Sequence, residues 1–246
     1  MERKLRGPAA IVGFCFFLAL ILFITATTVC NIAGDGSLMA VEMRRYSSPK
    51  VSGLPDEQYP EMGRMITDYL TGKRDTFQYY FTDKDGNMVV CFSPHEEDHM
   101  ADCRELIRKT GTIRWIAAGA ALILFVAVIV LRKQRKSLGA GMIAGFILTA
   151  LVCGIILTWG IIRFDNFFTA FHRLLFTNDG WQLNPQTDML IRLMPTSFFM
   201  SLGIKLLLAI AAVALAALSA AVILRTVGNG DMEEEKPEKA AAVQEA

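Results

Sequence analysis

Charged residues make up only 20% of this 246-residue chain, and histidine occurs three times. That scarcity of charge excludes an ordinary soluble domain, in which apolar residues are dispersed among charged ones with the period of a helix or strand. The five cysteines show no paired spacing and set up no disulfide framework. Cys15 and Cys153 lie inside apolar runs; Cys30, at the outer end of the first run, and Cys91 and Cys103 are expected outside, where a disulfide is chemically possible though no spacing pairs them. The chain has no internal repeat, glycine-rich phosphate loop or dinucleotide fingerprint, and no recognisable catalytic serine or cysteine motif. Nucleotide enzymes and the usual covalent hydrolases are thereby set aside, and no cofactor is expected. A formal net charge of +1 offers nothing to nucleic acid.

What the sequence does have is hydrophobicity in long runs. Pro8 to Cys30, Trp115 to Leu131, Leu138 to Ile162 and Phe198 to Leu224 are nearly free of charge. Each approaches or exceeds the roughly 20 residues that cross about 30 Å of hydrocarbon. MERKLRG resembles the basic leader of a signal peptide. The run after it is long for a signal core, however, and no small-x-small site ends it, so an uncleaved first helix is expected. Arg3, Lys4 and Arg6 precede this helix, Arg132, Lys133, Arg135 and Lys136 crowd the loop between the second and third, and Arg225 follows the fourth. The bias of basic residues toward the inner face then puts both termini and that loop in the cytoplasm.

The expected fold class is an α-helical membrane protein, four transmembrane helices carrying a small extracytoplasmic α+β cap. The cytoplasmic N-terminus and first helix occupy 1–30, the cap 31–112 and the second helix 113–132. A cytoplasmic loop and third helix follow over 133–162, an aromatic-rich outer segment over 163–197 and the fourth helix over 198–225. An acidic cytoplasmic tail without periodicity closes the chain over 226–246.

Within the cap, Tyr59 to Thr71 places Met62, Met65, Ile66, Tyr69 and Leu70 on one helical face, with Gly72 as a stop. FQYYFTDKDGNMVVCF reads as two strands around an Asp85-Gly86 turn. Ser93, Pro94 and Glu96 form an N-cap, first helical residue and capping box for a helix that leads into the second span. This helix begins HEEDH, a match to the H-E-x-x-H of zinc metalloproteases, in which two histidines at i and i+4 grip a metal and the glutamate activates water. Here Glu97 and Asp98 put charge where such sites are apolar, no third ligand follows, and Glu96 already has a capping role. Zinc is therefore not expected. His99 remains of interest because it shares a helix face with Cys103 and Leu106, with Asp102 nearby, while His95 in the first turn is expected to be solvated.

The outer segment RFDNFFTAFHRLLFTNDGWQLNPQTDMLIRLMPTSFF begins as a continuation of the third helix. Phe164, Phe168, Phe171 and Leu175 share one face, with His172 at its edge and Asp165 two turns earlier almost in line. An aromatic belt explains Trp115 and Trp159, but not a phenylalanine stripe that carries a histidine.

These blocks carry a resemblance. Phe171-His172-Arg173-Leu174-Leu175-Phe176, Trp181, Asp188 to Ile191, Pro195 and Phe198-Phe199 are similar to the F-H-x-L-F-F, tryptophan, D-x-L-I-x-x-x-P and paired-aromatic signature of the lipoprotein intramolecular transacylases (Lit). Glu96 with His99-Met100-Ala101-Asp102 matches that family's E-x-x-H-M-x-D-V segment. Cys103 stands where valine is usual, and Leu175 replaces a common aromatic. The resemblance spans nearly the whole chain and implies two catalytic histidines, His99 and His172, at the boundary between cap and membrane. It also implies a diacylated bacterial lipoprotein as substrate, met among membrane lipid. The acyl chain leaves the sn-2 oxygen of the glyceryl group and joins the amine of the N-terminal cysteine.

Beside the two histidines, the supporting residues expected are Asp102 to orient His99, Asp165 to orient His172, and Phe168, Phe171 and Trp181 to enclose the substrate. Asp188 is a candidate helix cap, and Arg192 a partner for lipid phosphate or a carboxylate. Lys205, about two turns inside the fourth helix, is expected to snorkel to the outer interface. Two alternatives stay open: a membrane zinc metalloprotease through HEEDH, the weaker one, which would require bound metal, and a non-catalytic multi-pass membrane partner or sensory subunit. The latter would tolerate loss of either histidine.

Overall fold

The computed structural model describes residues 6–82 and 85–226. Arg3, Lys4 and the acidic tail from residue 227 lie outside the described residues. Among the described residues, four helices are long and apolar enough to cross a membrane: α1 (Arg6–Gly34), α5 (Pro94–Val130), α6 (Arg135–Ile162) and α9 (Thr196–Thr226). Of α5, only the stretch from Trp115 onward is apolar throughout; its first five turns are polar and belong with the cap.

The chain divides into two compact units, the first formed by the described residues of 1–25, 114–155 and 209–246. Here glycine lets helix backbones meet. A Cβ on Gly13 or Gly141 would collide with the backbone of Leu138 or Ala10, so α1 and α6 touch main chain to main chain, and Gly145 lies beneath the Phe17 ring. Close approach of this kind replaces the hydrophobic drive that lipid cannot supply. Phe17, Met142, Ala214, Ala217 and Ala221 form the packed centre, with Phe17 edge-on to Phe146.

The second unit comprises 26–113 and 156–208. After α1 come α2 (Gly36–Tyr46), the single turn α3 (Pro49–Ser52) and α4 (Tyr59–Leu70). Asp35 caps α2 by accepting the Leu38 N–H at 2.9 Å. Met62, Met65, Ile66 and Tyr69 of α4 are buried, and Gly72 takes φ +79° where the helix stops. The hairpin is present but short. Its strands β1 (Tyr80–Thr82) and β2 (Met88–Val90) pair antiparallel with Phe81 opposite Val89, and Gly86 adopts φ +83° in the turn. Among the described residues these two strands are the whole sheet.

Two expectations are corrected. The outer segment does not continue α6. Arg163 takes φ −142° and ψ 58°, and a separate helix α7 (Phe164–Leu175) starts beyond it. The break falls where an all-apolar pattern gives way to an amphipathic one, so the two stretches bury different faces. Lys205 does not snorkel. Its Nζ donates to Glu42 Oε1 at 3.0 Å and to Ser201 Oγ at 2.8 Å. Burial alone would push the Glu42 carboxyl up, but the bonds from Ser201 and Lys205 and the charges of Lys205 and Arg45 hold it below the usual carboxylate range.

The α2–α4 contact depends on Gly63, where a Cβ would meet Gly36 O at 2.5 Å and Ala40 N at 2.8 Å. Gly63→Ala is expected to destabilise the protein by about 1–3 kcal/mol through overpacking. Gly111→Ala, on an open face of α5 with nothing within 4 Å, should stabilise it by roughly 0.5–1 kcal/mol. Thermal unfolding in detergent distinguishes them. Equal midpoints for the two variants would contradict this account of the α2–α4 contact.

Candidate active site

The site is built outward from the start of α5. Ser93 and Glu96 form the capping box: the Ser93 N–H and Oγ–H both donate to Glu96 Oε2, at 2.8 and 2.9 Å. The same carboxylate does a second task that the capping pattern does not disclose. Its Oε1 accepts the Leu190 N–H at 2.6 Å, at the start of the short helix α8 (Met189–Leu193), and the residue is only 1% exposed. Glu97, the next acid of HEEDH, accepts from the Gln78 side chain, which also bonds the backbone of Phe92. Both acids are therefore held in the scaffold. His95 is exposed, whereas His99 is buried. Among the described residues no group of three His, Cys, Asp or Glu is arranged to hold a metal ion.

His99 lies one turn beyond Glu96 and is 8% exposed. Its Nε2 sits 3.7 Å from Cys103 Sγ, one further turn along the same face, and its Nδ1 is buried with no hydrogen-bond partner. His172, near the end of α7, is 7% exposed, and its Nδ1 lies 2.8 Å from the Phe168 carbonyl oxygen. A carbonyl only accepts, so Nδ1 carries the proton and Nε2 presents the lone pair. The two imidazole rings have centroids 6.1 Å apart.

Aromatic rings enclose the pair. Phe168 lies 4.0 Å from His172 between centroids, Trp181 5.0 Å and Phe171 5.6 Å. Phe176 touches both histidines, 5.3 Å from His99 and 5.6 Å from His172, and Phe199 backs Phe168 at 5.6 Å. Phe176 and Phe199 stood in the quoted motifs, but nothing in their spacing marked them as ring contacts of the site.

The carboxylates are placed differently from expectation. Asp165 is exposed and makes no hydrogen bond among the described residues; the Phe168 carbonyl holds His172 instead. Seven residues before His172, Asp165 lies about 10 Å away along the axis of α7, beyond reach of the imidazole. Asp102 does not bond His99. Its Oδ2 accepts from Asn178 Nδ2 at 2.8 Å, while Asn178 Oδ1 accepts the Gly180 N–H, so Asp102 ties the turn between Phe176 and Trp181 to α5. Asp188 occupies the N-cap position of α8 without capping it. Its carboxylate accepts from Asn184 N–H and Thr187 Oγ, leaving the Leu190 N–H to Glu96. Arg192 folds back along α8, with Nε donating to the Asp188 carbonyl at 3.2 Å.

Enclosure sets the protonation states. Burial, with the neighbouring charges of His172 and His95 and against the opposing pull of Asp102, lowers the His99 pKa to about 4. Burial likewise lowers His172, outweighing the Phe168 carbonyl, which favours the charged form. Both rings are neutral at neutral pH. Two neutral imidazoles in a dry aromatic shell can take a proton from one substrate atom and return it to another.

Comparisons with known proteins give the site a lineage. The family described as lipoprotein intramolecular transacylase Lit matches residues 10–199. Solved structures of the membrane-integral lipoprotein intramolecular transacylase Lit from Bacillus cereus share the fold. One has 19% identity and a TM-score of 0.72, covering 92% of this chain and 99% of that one. Two more carry one histidine replaced, by arginine (21% identity, TM-score 0.65, 94% of this chain and 96% of that one) and by alanine (19%, 0.68, 94% and 100%). None of the curated proteins matches the chain.

Two outcomes follow from the Glu96 bonds and the neutral histidines. Glu96→Ala removes the capping box and leaves the Leu190 N–H buried without an acceptor, a loss of about 2–4 kcal/mol, read as a lower denaturation midpoint. For His99, the unfolded chain binds a proton near pH 6.5 and the native one only near pH 4, so stability is lost as pH falls through that window. Melting temperatures between pH 7 and 5 should fall less steeply for His99→Gln than for the unsubstituted protein. Parallel curves would contradict the buried neutral state.

Proposed function

The chain belongs to the lipoprotein intramolecular transacylase family, and from that premise we propose how its two histidines carry out the transfer. It is a membrane acyltransferase. The substrate is a diacylglyceryl-modified lipoprotein, whose sn-2 acyl chain moves to the amine of its own N-terminal cysteine. The paired neutral imidazoles of His99 and His172, 6.1 Å apart in an aromatic shell, are the observation that carries this reading.

The attack is intramolecular. Counting from the amine nitrogen through the thioether to the ester carbonyl closes a ring of about eight members, a geometry whose entropic cost an enclosing site removes in advance. The amine, with an ordinary pKa of about 7.7–8.0, has to lose a proton. The Nε2 lone pair of His172 takes it as nitrogen attacks the carbonyl carbon. When the tetrahedral intermediate collapses, the C–O bond to the sn-2 oxygen breaks and the same imidazolium returns the proton to the departing alkoxide. His99 lies across from His172 and stabilises the oxyanion. Phe168, Phe171, Phe176 and Trp181 exclude the water that would turn transfer into hydrolysis.

The distribution of basic residues supports cytoplasmic termini, with the site on the extracytoplasmic side among membrane lipid. A cysteine introduced at exposed Lys50 should then react with an impermeant reagent in intact cells, and one at Lys133 only after permeabilisation. The reverse pattern would invert the topology.

The product is a lipopeptide of unchanged mass whose acyl chain has moved from ester to amide, detected by fragmentation mass spectrometry after incubation with purified protein. His99→Ala and His172→Ala should each slow transfer by about 10²–10⁴, and the double variant little more, because groups acting as a unit are not additive. His95→Ala, altered at an exposed position, should retain most activity. Normal transfer by folded His172→Ala protein would refute the mechanism.

A further inference from the structure

The two histidines are held by opposite ring nitrogens. In His172 the Phe168 carbonyl occupies Nδ1 and leaves Nε2 open; in His99 the Cys103 sulfur occupies the Nε2 side at 3.7 Å and leaves Nδ1, buried and without a partner. We propose that the Cys103 thiol is a positioning residue that fixes the tautomer of His99, so that this ring meets the substrate with an Nδ1–H donor while His172 meets it with an Nε2 lone pair. The assignment rests on the transacylase reading for its consequence, but on geometry for its substance.

The direction of the Cys103–His99 contact follows from the state of each group. Burial, reinforced by the charge of Asp102, pushes the Cys103 thiol up to about 12, so the sulfur keeps its hydrogen and is not a nucleophile. A thiol is a weak acceptor, whereas an imidazole lone pair is a strong one, so the favourable arrangement is S–H donating to Nε2. A neutral imidazole has one N–H, which then resides on Nδ1. Left unpaired and buried, that N–H is costly in the resting protein. It is satisfied when an acyl oxygen arrives, and more strongly when that oxygen becomes negative. A neutral histidine whose low pKa keeps it from protonating is well suited to polarising a carbonyl by hydrogen bonding. The division of labour follows: base and proton carrier at His172, oxyanion donor at His99, with no step in which His99 becomes charged.

The test reads the tautomer directly. In protein labelled with ¹⁵N at histidine and carrying His95→Gln to remove the exposed third ring, ring-nitrogen chemical shifts at pH 7.5 should show His99 protonated at Nδ1. Cys103→Ser keeps an O–H donor for Nε2 and should preserve that pattern and a near-normal rate. Cys103→Val has no donor; His99 should move toward the Nε2–H form that a histidine favours when nothing else selects. Transfer should slow at least tenfold, up to the about 10²–10³-fold that loss of one oxyanion donor costs. Nε2-protonated His99 in the Cys103-containing protein, or an unchanged tautomer in Cys103→Val, overturns the proposal. An Nδ1–H signal lost only in Cys103→Val upholds the assignment even if no lipopeptide is transferred, in which case the transacylase reading alone fails.

Discussion

The Glu96 carboxylate is the point on which the geometry of the site depends. It is buried to 1% exposure, and all its described bonds come from backbone or hydroxyl donors: Ser93 N–H and Oγ–H on one oxygen and Leu190 N–H on the other. A carboxylate withdrawn from water is tolerable only when its oxygens are supplied with hydrogen bonds, and these supply them. The consequence is mechanical. The first turn of α5 cannot rotate without losing its cap, and α8 cannot slide without losing its N-terminal bond. His99, one turn from Glu96, inherits that orientation. The HEEDH motif is therefore a capping box whose glutamate reaches across the fold, with the second histidine carried along on its far side.

A second buried charge works differently. Glu42 on α2 pairs with Lys205 on α9, and Arg45 lies 3.7 Å from the same carboxylate. Lysine within an apolar helix is costly unless it has a partner, and Glu42 is that partner. Removing either member would strand the other, so the pair ties α2 to α9 even where its net contribution to stability is small.

Much of this protein could be read from local patterns. Four spans, the face of α4, the Gly72 stop, the Asp85-Gly86 hairpin and the Ser93–Glu96 box are each decided within a dozen or so residues, where composition and period suffice. What escaped the sequence is what spans distance. The Glu96–Leu190 bond links residues 94 positions apart, Asp102–Asn178 residues 76 apart, and Lys205–Glu42 residues 163 apart. No periodicity encodes such pairings, so Asp102 was assigned to the nearest histidine and Lys205 to the solvent. The helix α2 was missed for a related reason: its sequence GSLMAVEMRRY mixes a buried glutamate with exposed Val41, which blurs the apolar face. The break at Arg163 was blurred by aromatics on both sides of it.

The absence of a carboxylate against either imidazole among the described bonds is itself informative about the chemistry. In a serine-type triad, a buried carboxylate raises the histidine so that it can hold a proton taken from an alcohol. Here Asp102 and Asp165 are directed elsewhere, and burial among aromatic rings lowers both pKa values, at His172 against the opposing pull of the Phe168 carbonyl. A weak base suits this substrate. An amine with a pKa near 8 is itself partly neutral at physiological pH and becomes far more acidic once its nitrogen is bonded to the acyl carbon. The proton then passes to His172 only as the bond forms. Basicity is not the scarce resource in an acyl shift that must close a ring of about eight members; arrangement and dryness are. A site that lowered its histidines by excluding water, and held them by a thiol and a carbonyl in place of carboxylates, would favour transfer between two atoms of one molecule over attack by solvent.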